Sequence, residues 1–268
     1  MSSQERIARA FQAARQQGRP AFIAYICGGD PDGETSAALA CSLLGVGVDI
    51  LEIGVPFSDP LADGLTNQLA AQRALAAGMT HKRFLALVAR VRAAFPDAPI
   101  VLYTYYNLVF SHGLASCLRQ YKEVGVDGLL TLDCPPEEAG ELLAVSRAIG
   151  LANIFLVAPT TPPERVKAIV REASGFIYYV SHEGVTGERN VVAGDLAGAV
   201  SRIRQHTVLP IAVGFGISTR AHVEAVGRVA DGVVVGSALV NVIASQLGQP
   251  GQIPAAIAAK ARALMGLG

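Results

Sequence analysis

The chain has 268 residues, 51% of them hydrophobic, and its 22 basic residues balance 22 acidic ones. Zero formal charge excludes a global basic field for nucleic acid and a polybasic membrane anchor, so any anion site must be local. A length near 250 residues suits one α/β barrel as well as two small domains.

The N-terminus lacks the unbroken apolar core of a signal peptide. Ile7, Ala10, Phe11 and Ala14 instead recur at helical spacing, so residues 1–18 are predicted to form an extra helix capping the barrel bottom. Short apolar runs then alternate with amphipathic stretches, as buried parallel strands alternate with helices. The runs lie at 21–27, 49–54, 100–105, 128–133, 153–158, 176–181, 208–213 and 231–235. Helical patterns occupy 35–44, 81–94, 114–124, 136–149, 163–172, 196–204 and 219–229. Most strand starts are roughly 23 to 32 residues apart, one βα unit. The second and third are separated by about 51, which marks an insertion after strand 2. Eight such units predict an α/β fold, a (β/α)8 TIM barrel, as a single domain over residues 1–268. The apolar tract at 233–247 is broken by Ser237, Asn241 and Ser245 and is too short for a membrane span. Cys27, Cys41, Cys117 and Cys134 match no metal-binding spacing and read as reduced thiols of a cytoplasmic protein, with no metal site expected.

Three stretches carry possible chemistry. Glu52 interrupts the second strand near its C-terminal end and is predicted to point into the barrel. Burying an ionised carboxylate costs several kcal/mol unless it is paired, so Glu52 is either a hydrogen-bonded interior group or an acid–base catalyst with a raised pKa. Asp63, between Ala62 and Gly64, is either a turn former or a second carboxylate sharing that work. Glycine turns follow strand 7, at 213–218, and strand 8, at 235–238; each opens a helix. Phosphate sites of barrels form at those two places, although tight helix–strand packing explains the same glycines. The polar loop after strand 6, 181–188, suits a lid, with Gly187 a further backbone donor. His182 in it reads more simply as a solvent-exposed loop residue than as a base. Tyr25, Tyr105, Leu130, Tyr178 and Phe215 sit at or beyond strand ends, as an apolar wall for a flat ring or as core.

The string LEIGVPFSDPLADG at 51–64 closely resembles the signature of tryptophan synthase α chains. Gly29-Asp30-Pro31, YYNLVF at 105–110, GVTG at 184–187, GFGIS at 214–218 and GSALV at 236–240 follow in the same order. The resemblance implies a lyase that cleaves indole-3-glycerol phosphate to indole and D-glyceraldehyde 3-phosphate in L-tryptophan biosynthesis. It implies Glu52 as catalytic proton shuttle, and Asp63 as the carboxylate that meets the indole N–H. Thr186 is then the lid residue that contacts Asp63, and Gly187, Gly216, Gly236 and Ser237 bind phosphate. Tyr25, Tyr105, Leu130, Tyr178 and Phe215 line or surround the indole pocket. It further implies an αββα heterotetramer with a β subunit that carries pyridoxal phosphate, while this chain needs no cofactor. Pro56, Asp59 and the region 107–110 would face that partner. The chain departs from many relatives at Leu65, where proline is common, and at His182, where arginine is common. Alternatives are a stand-alone lyase of the same family, a noncatalytic subunit that senses a phosphate ester, and another phosphosugar barrel such as an isomerase.

Overall fold

The computed structural model describes residues 2–180, 196–214 and 216–267. Eight parallel strands close into a barrel in chain order. They are β1 (Ala21–Cys27), β2 (Ile50–Gly54), β3 (Ile100–Thr104), β4 (Gly128–Thr131), β5 (Ala152–Val157), β6 (Ile177–Val180), β7 (Ile211–Gly214) and β8 (Gly232–Val235). Side chains alternate along each strand. Register therefore decides what meets inside: Tyr25 lies beside Glu52, Gly54 beside Tyr103, and Tyr103 beside Leu130. Ile23, Ile50, Val101, Leu130, Ile154, Ala212 and Val234 fill the lower interior, and none exceeds 3% exposure. The barrel is thus packed below and leaves its chemistry to the upper rim.

The helix α1 (Ser3–Gln16) closes the bottom, as its apolar spacing predicts. A capping box between Ser2 and Glu5 starts it. Ile7 and Phe11 enter the lower interior, and each contributes about 1.5–3 kcal/mol by leaving water. Strand glycines make room for them. A Cβ on Gly232 would lie 2.8 Å from Phe11 Cε1, and one on Gly128 3.4 Å from Ile7 Cδ1. Arg6 and Arg92 anchor the plug through the buried Asp127 carboxylate, at 2.7 and 2.6 Å.

The outer helices are α2 (Gly33–Gly45), α3 (Leu65–Ala76), α4 (His81–Ala94), α5 (Tyr106–Ser111), α6 (Leu114–Glu123), α7 (Gly140–Ala148), α8 (Pro163–Glu172), α9 (Leu196–Arg204), α10 (Arg220–Gly227), α11 (Ser237–Ser245) and α12 (Ile253–Met265). The insertion after strand 2 is the loop 55–64 plus α3, a helix the apolar pattern does not announce because its buried face is only Ala70, Ala71 and Ala74. Three of the boundary differences from the sequence expectation have a plain physical cause. The seventh strand starts at Ile211, since Val208 is fully exposed and Pro210 has no N–H to give a ladder. Asp49 stays outside the second strand, where it pairs with Arg19 at 2.6 Å and accepts the Phe22 N–H at 2.7 Å. The helix expected from 136 begins at Gly140, after a turn through Pro135 and Pro136. At the C-terminus, Ile253, Ile257, Ala261 and Leu264 form the buried stripe of α12, which packs on α2. Among the described residues no helix is long and apolar enough to cross a membrane.

Candidate active site

The upper rim collects two carboxyl groups and four phenols. Ile50, Glu52 and Gly54 share the inner face of β2, while Leu51 and Ile53 pack outward on the helices. Glu52 is 1% exposed. Its Oε1 has no hydrogen-bond partner among the described residues. Burial, reinforced by the negative charge of Asp63, pushes its carboxyl pKa up to about 8. A group so placed exchanges its proton near neutrality.

Asp63 reaches the same space from the loop. Its N–H bonds to the Pro60 carbonyl at 3.1 Å, and Gly64 then caps α3. The α3 side chain of Gln68 donates to the Asp63 carbonyl at 2.8 Å. Tyr103 donates to Asp63 Oδ1 at 2.7 Å, and Tyr105 donates to Oδ2 at 2.7 Å. The helix is held in turn by Arg73, whose Nε and Nη2 both donate to the fully buried Asp30 carboxylate at 2.7 Å. Burial raises the Asp30 pKa, and the guanidinium partly offsets that.

Tyr25 and Tyr178 complete the wall. Each owes its position to a glycine: a Cβ on Gly54 would lie 2.5 Å from the Tyr25 hydroxyl, and one on Gly214 2.3 Å from that of Tyr178. Burial raises both phenol pKa values well above the ordinary range, with Glu52 and Asp63 adding to the shift. Leu130 is fully buried beneath them. Tyr105 adjoins this wall at Asp63. It packs on Phe57, with centroids 5.0 Å apart, and braces Asp63 from behind while accepting the Ala62 N–H at 3.0 Å.

Beyond the end of β7, Gly216 has φ of +70°, a left-handed turn that favours glycine. Gly236 precedes α11 with no side-chain cap, and Ser237 is the first residue of that helix. The first-turn N–H groups of such a helix lack intrahelical partners, and its dipole favours an anion. Thr186, Gly187 and Phe215, with His182, lie outside the described residues. Asp59, Asn107 and Phe110 are exposed, Phe110 by 60%, whereas Pro56 is buried. Leu65 heads α3 and is 71% exposed.

Sequence reasoning missed Tyr103 and Arg73. The first had a legible signal, since it stands two residues before Tyr105 and so faces the same side of β3. The second had none, because its partner Asp30 is 43 residues away. His81 and His112 stack on each other 4.2 Å apart, between the start of α4 and the end of α5. Among the described residues no group of three or more His, Cys, Asp or Glu side chains could hold a metal ion.

A barrel with buried Glu52, braced Asp63 and glycine turns after β7 and β8 matches known proteins over nearly its whole length. The family profile described as tryptophan synthase alpha chain matches residues 11–265. The tryptophan synthase alpha chain of Opitutus terrae is 59% identical over 256 residues, covering 96% of each chain. That of Caulobacter sp. is 49% identical over 249 residues, covering 92% of this chain and 90% of the relative. A chain in a structure of the tryptophan synthase a2b2 complex from Pyrococcus furiosus superposes with a TM-score of 0.86 at 36% identity, covering 92% of this chain and 98% of its own. One from Mycobacterium tuberculosis tryptophan synthase gives 0.84 at 37% identity, covering 96% and 98%. Sequence and fold agree: the chain belongs to the tryptophan synthase alpha chain family.

Proposed function

We propose that this chain cleaves indole-3-glycerol phosphate to indole and D-glyceraldehyde 3-phosphate. Glu52 carries the proposal, because a buried carboxyl with a free oxygen and a pKa near 8 both gives and takes a proton at working pH. Protonated, Glu52 delivers its proton to indole C3, and the ring becomes an electron-poor iminium. Asp63 accepts the ring N–H and stabilises that charge. The glycerol 3′-hydroxyl then returns a proton to Glu52. Its O–H electrons form the aldehyde C=O, the C–C bond breaks, and that pair restores the aromatic ring. Gly216, Gly236 and Ser237, with Gly187, hold the phosphate, and Thr186 meets Asp63 as the lid closes. Tyr25, Leu130, Tyr178 and Phe215 surround the indole.

A pyridoxal-phosphate β subunit completes an αββα assembly in the cytoplasm and receives the indole. The exposed Asp59, Asn107 and Phe110 suit that contact. Glu52→Gln tests the assignment: cleavage is lost while the phosphate ester still binds. Normal cleavage by that variant refutes the acid–base role. Addition of β subunit raises the slow turnover of the isolated chain, and full activity without a partner favours a stand-alone lyase instead.

A further inference from the structure

Two tyrosines, at the end of β3 and just beyond it, hold one carboxylate. Residues two apart in an extended segment face alike, so the hydroxyls of Tyr103 and Tyr105 converge on Asp63 and take different oxygens. Tyr105 works from behind the loop, against Phe57. Tyr103 works from inside the barrel. Its neighbours in register are Gly54 and Leu130, and its ring meets Tyr25 edge-on at 5.1 Å. It is half-buried rather than sealed in the core. Glu52, Asp63 and Tyr178 all act electrostatically on its phenol, which places it among the groups of the rim. Burial and the two carboxyl groups keep that phenol protonated, so it remains a donor.

We propose that Tyr103 is a positioning residue for the cleavage: through Oδ1 it holds the Asp63 carboxylate inward, ready for the N–H of a planar heteroaromatic ring. The proposal rests on the reaction assigned above. A carboxylate offers about four acceptor positions. One hydroxyl on each oxygen, with Asn67 Nδ2 at 3.4 Å from Oδ1, leaves room for the ring N–H. Without the Tyr103 hydroxyl, Oδ1 keeps only the long Asn67 contact, and the carboxylate, held firmly by Tyr105 alone, is free to turn away from the axis. Every effect of Tyr103 must therefore pass through Asp63.

The test is a double-mutant cycle of Tyr103→Phe and Asp63→Ala in the full chain with β subunit present. Binding of indole-3-propyl phosphate and of plain propyl phosphate is titrated, and kcat and KM for indole-3-glycerol phosphate are measured. Loss of one hydrogen bond to a charged group predicts a fall in kcat of about tenfold or more for Tyr103→Phe, with a smaller change in KM. The indole-bearing phosphate binds about fivefold more weakly, on the same grounds, and propyl phosphate binds unchanged. In the Asp63→Ala background Tyr103→Phe has no further effect on either ligand. Equal loss for both ligands, undiminished turnover, or the same loss in the Asp63→Ala background overturns the positioning role. Wild-type protein that fails to cleave indole-3-glycerol phosphate overturns the assigned reaction itself and the positioning role with it.

Discussion

Replacing Glu52 by glutamine should remove a loss of stability that accompanies rising pH. In the unfolded chain this carboxyl releases its proton near pH 4.5, whereas the fold retains it to about pH 8. Between those values the native state binds one proton more than the unfolded state, so stability falls as pH rises and levels off above the folded pKa. The slope is about 1.4 kcal/mol per pH unit. From pH 4.5 to pH 7 the loss is on the order of 3 kcal/mol, and the plateau above pH 8 is about 5. Glutamine has a similar shape and no proton to lose. Its own amide contacts add a constant offset at all pH values. Urea unfolding of both proteins between about pH 4.5 and pH 9 isolates the difference, because the other titrating groups are shared. The variant should gain on the wild type steadily, by roughly 3 kcal/mol at pH 7 relative to pH 4.5. Parallel curves would show that Glu52 is ionised in the fold at neutral pH, and the proton-shuttle reasoning would fail with them.

Asp63→Asn removes the like charge that helps raise Glu52, so the Glu52 pKa should drop; an infrared titration of the carboxyl band reads this directly. Gly214→Ala places a methyl 2.3 Å from the Tyr178 hydroxyl and forces that ring aside. Substrate affinity and rate should fall sharply, while thermal unfolding shows a loss of about 1–3 kcal/mol. Asp127→Asn leaves Arg6 and Arg92 without their buried counter-charge and should cost about 3–5 kcal/mol in chemical denaturation. Because Asp127 lies at the barrel bottom, kcat of the folded variant should be unchanged. A large kcat defect would link the α1 plug to the rim.

Local patterns made much of this protein readable. Short, nearly continuous apolar runs and their regular recurrence marked the eight strands, and the 3.6-residue stripe at Ile7 and Phe11 marked the plug. Glu52 stood out because a charge inside an apolar run demands compensation. Boundaries were harder. Val208 and Leu209 look like strand, yet Pro210 delays pairing until Ile211. The helix α3 escaped notice because alanine buries well without marking a hydrophobic face.

The linear order of residues thus determined that a barrel forms and that one carboxyl must lie within it, because alternation and burial are properties of neighbouring positions. It also carried the motif by which the family is recognised. Only the closed barrel decided what surrounds that carboxyl. Strand register sets Tyr25 beside Glu52, Gly54 and Gly214 open space for two phenols, and Tyr103 reaches across 40 residues to Asp63. Such pairings depend on stagger and on missing side chains in other strands, and neither is encoded within any single segment.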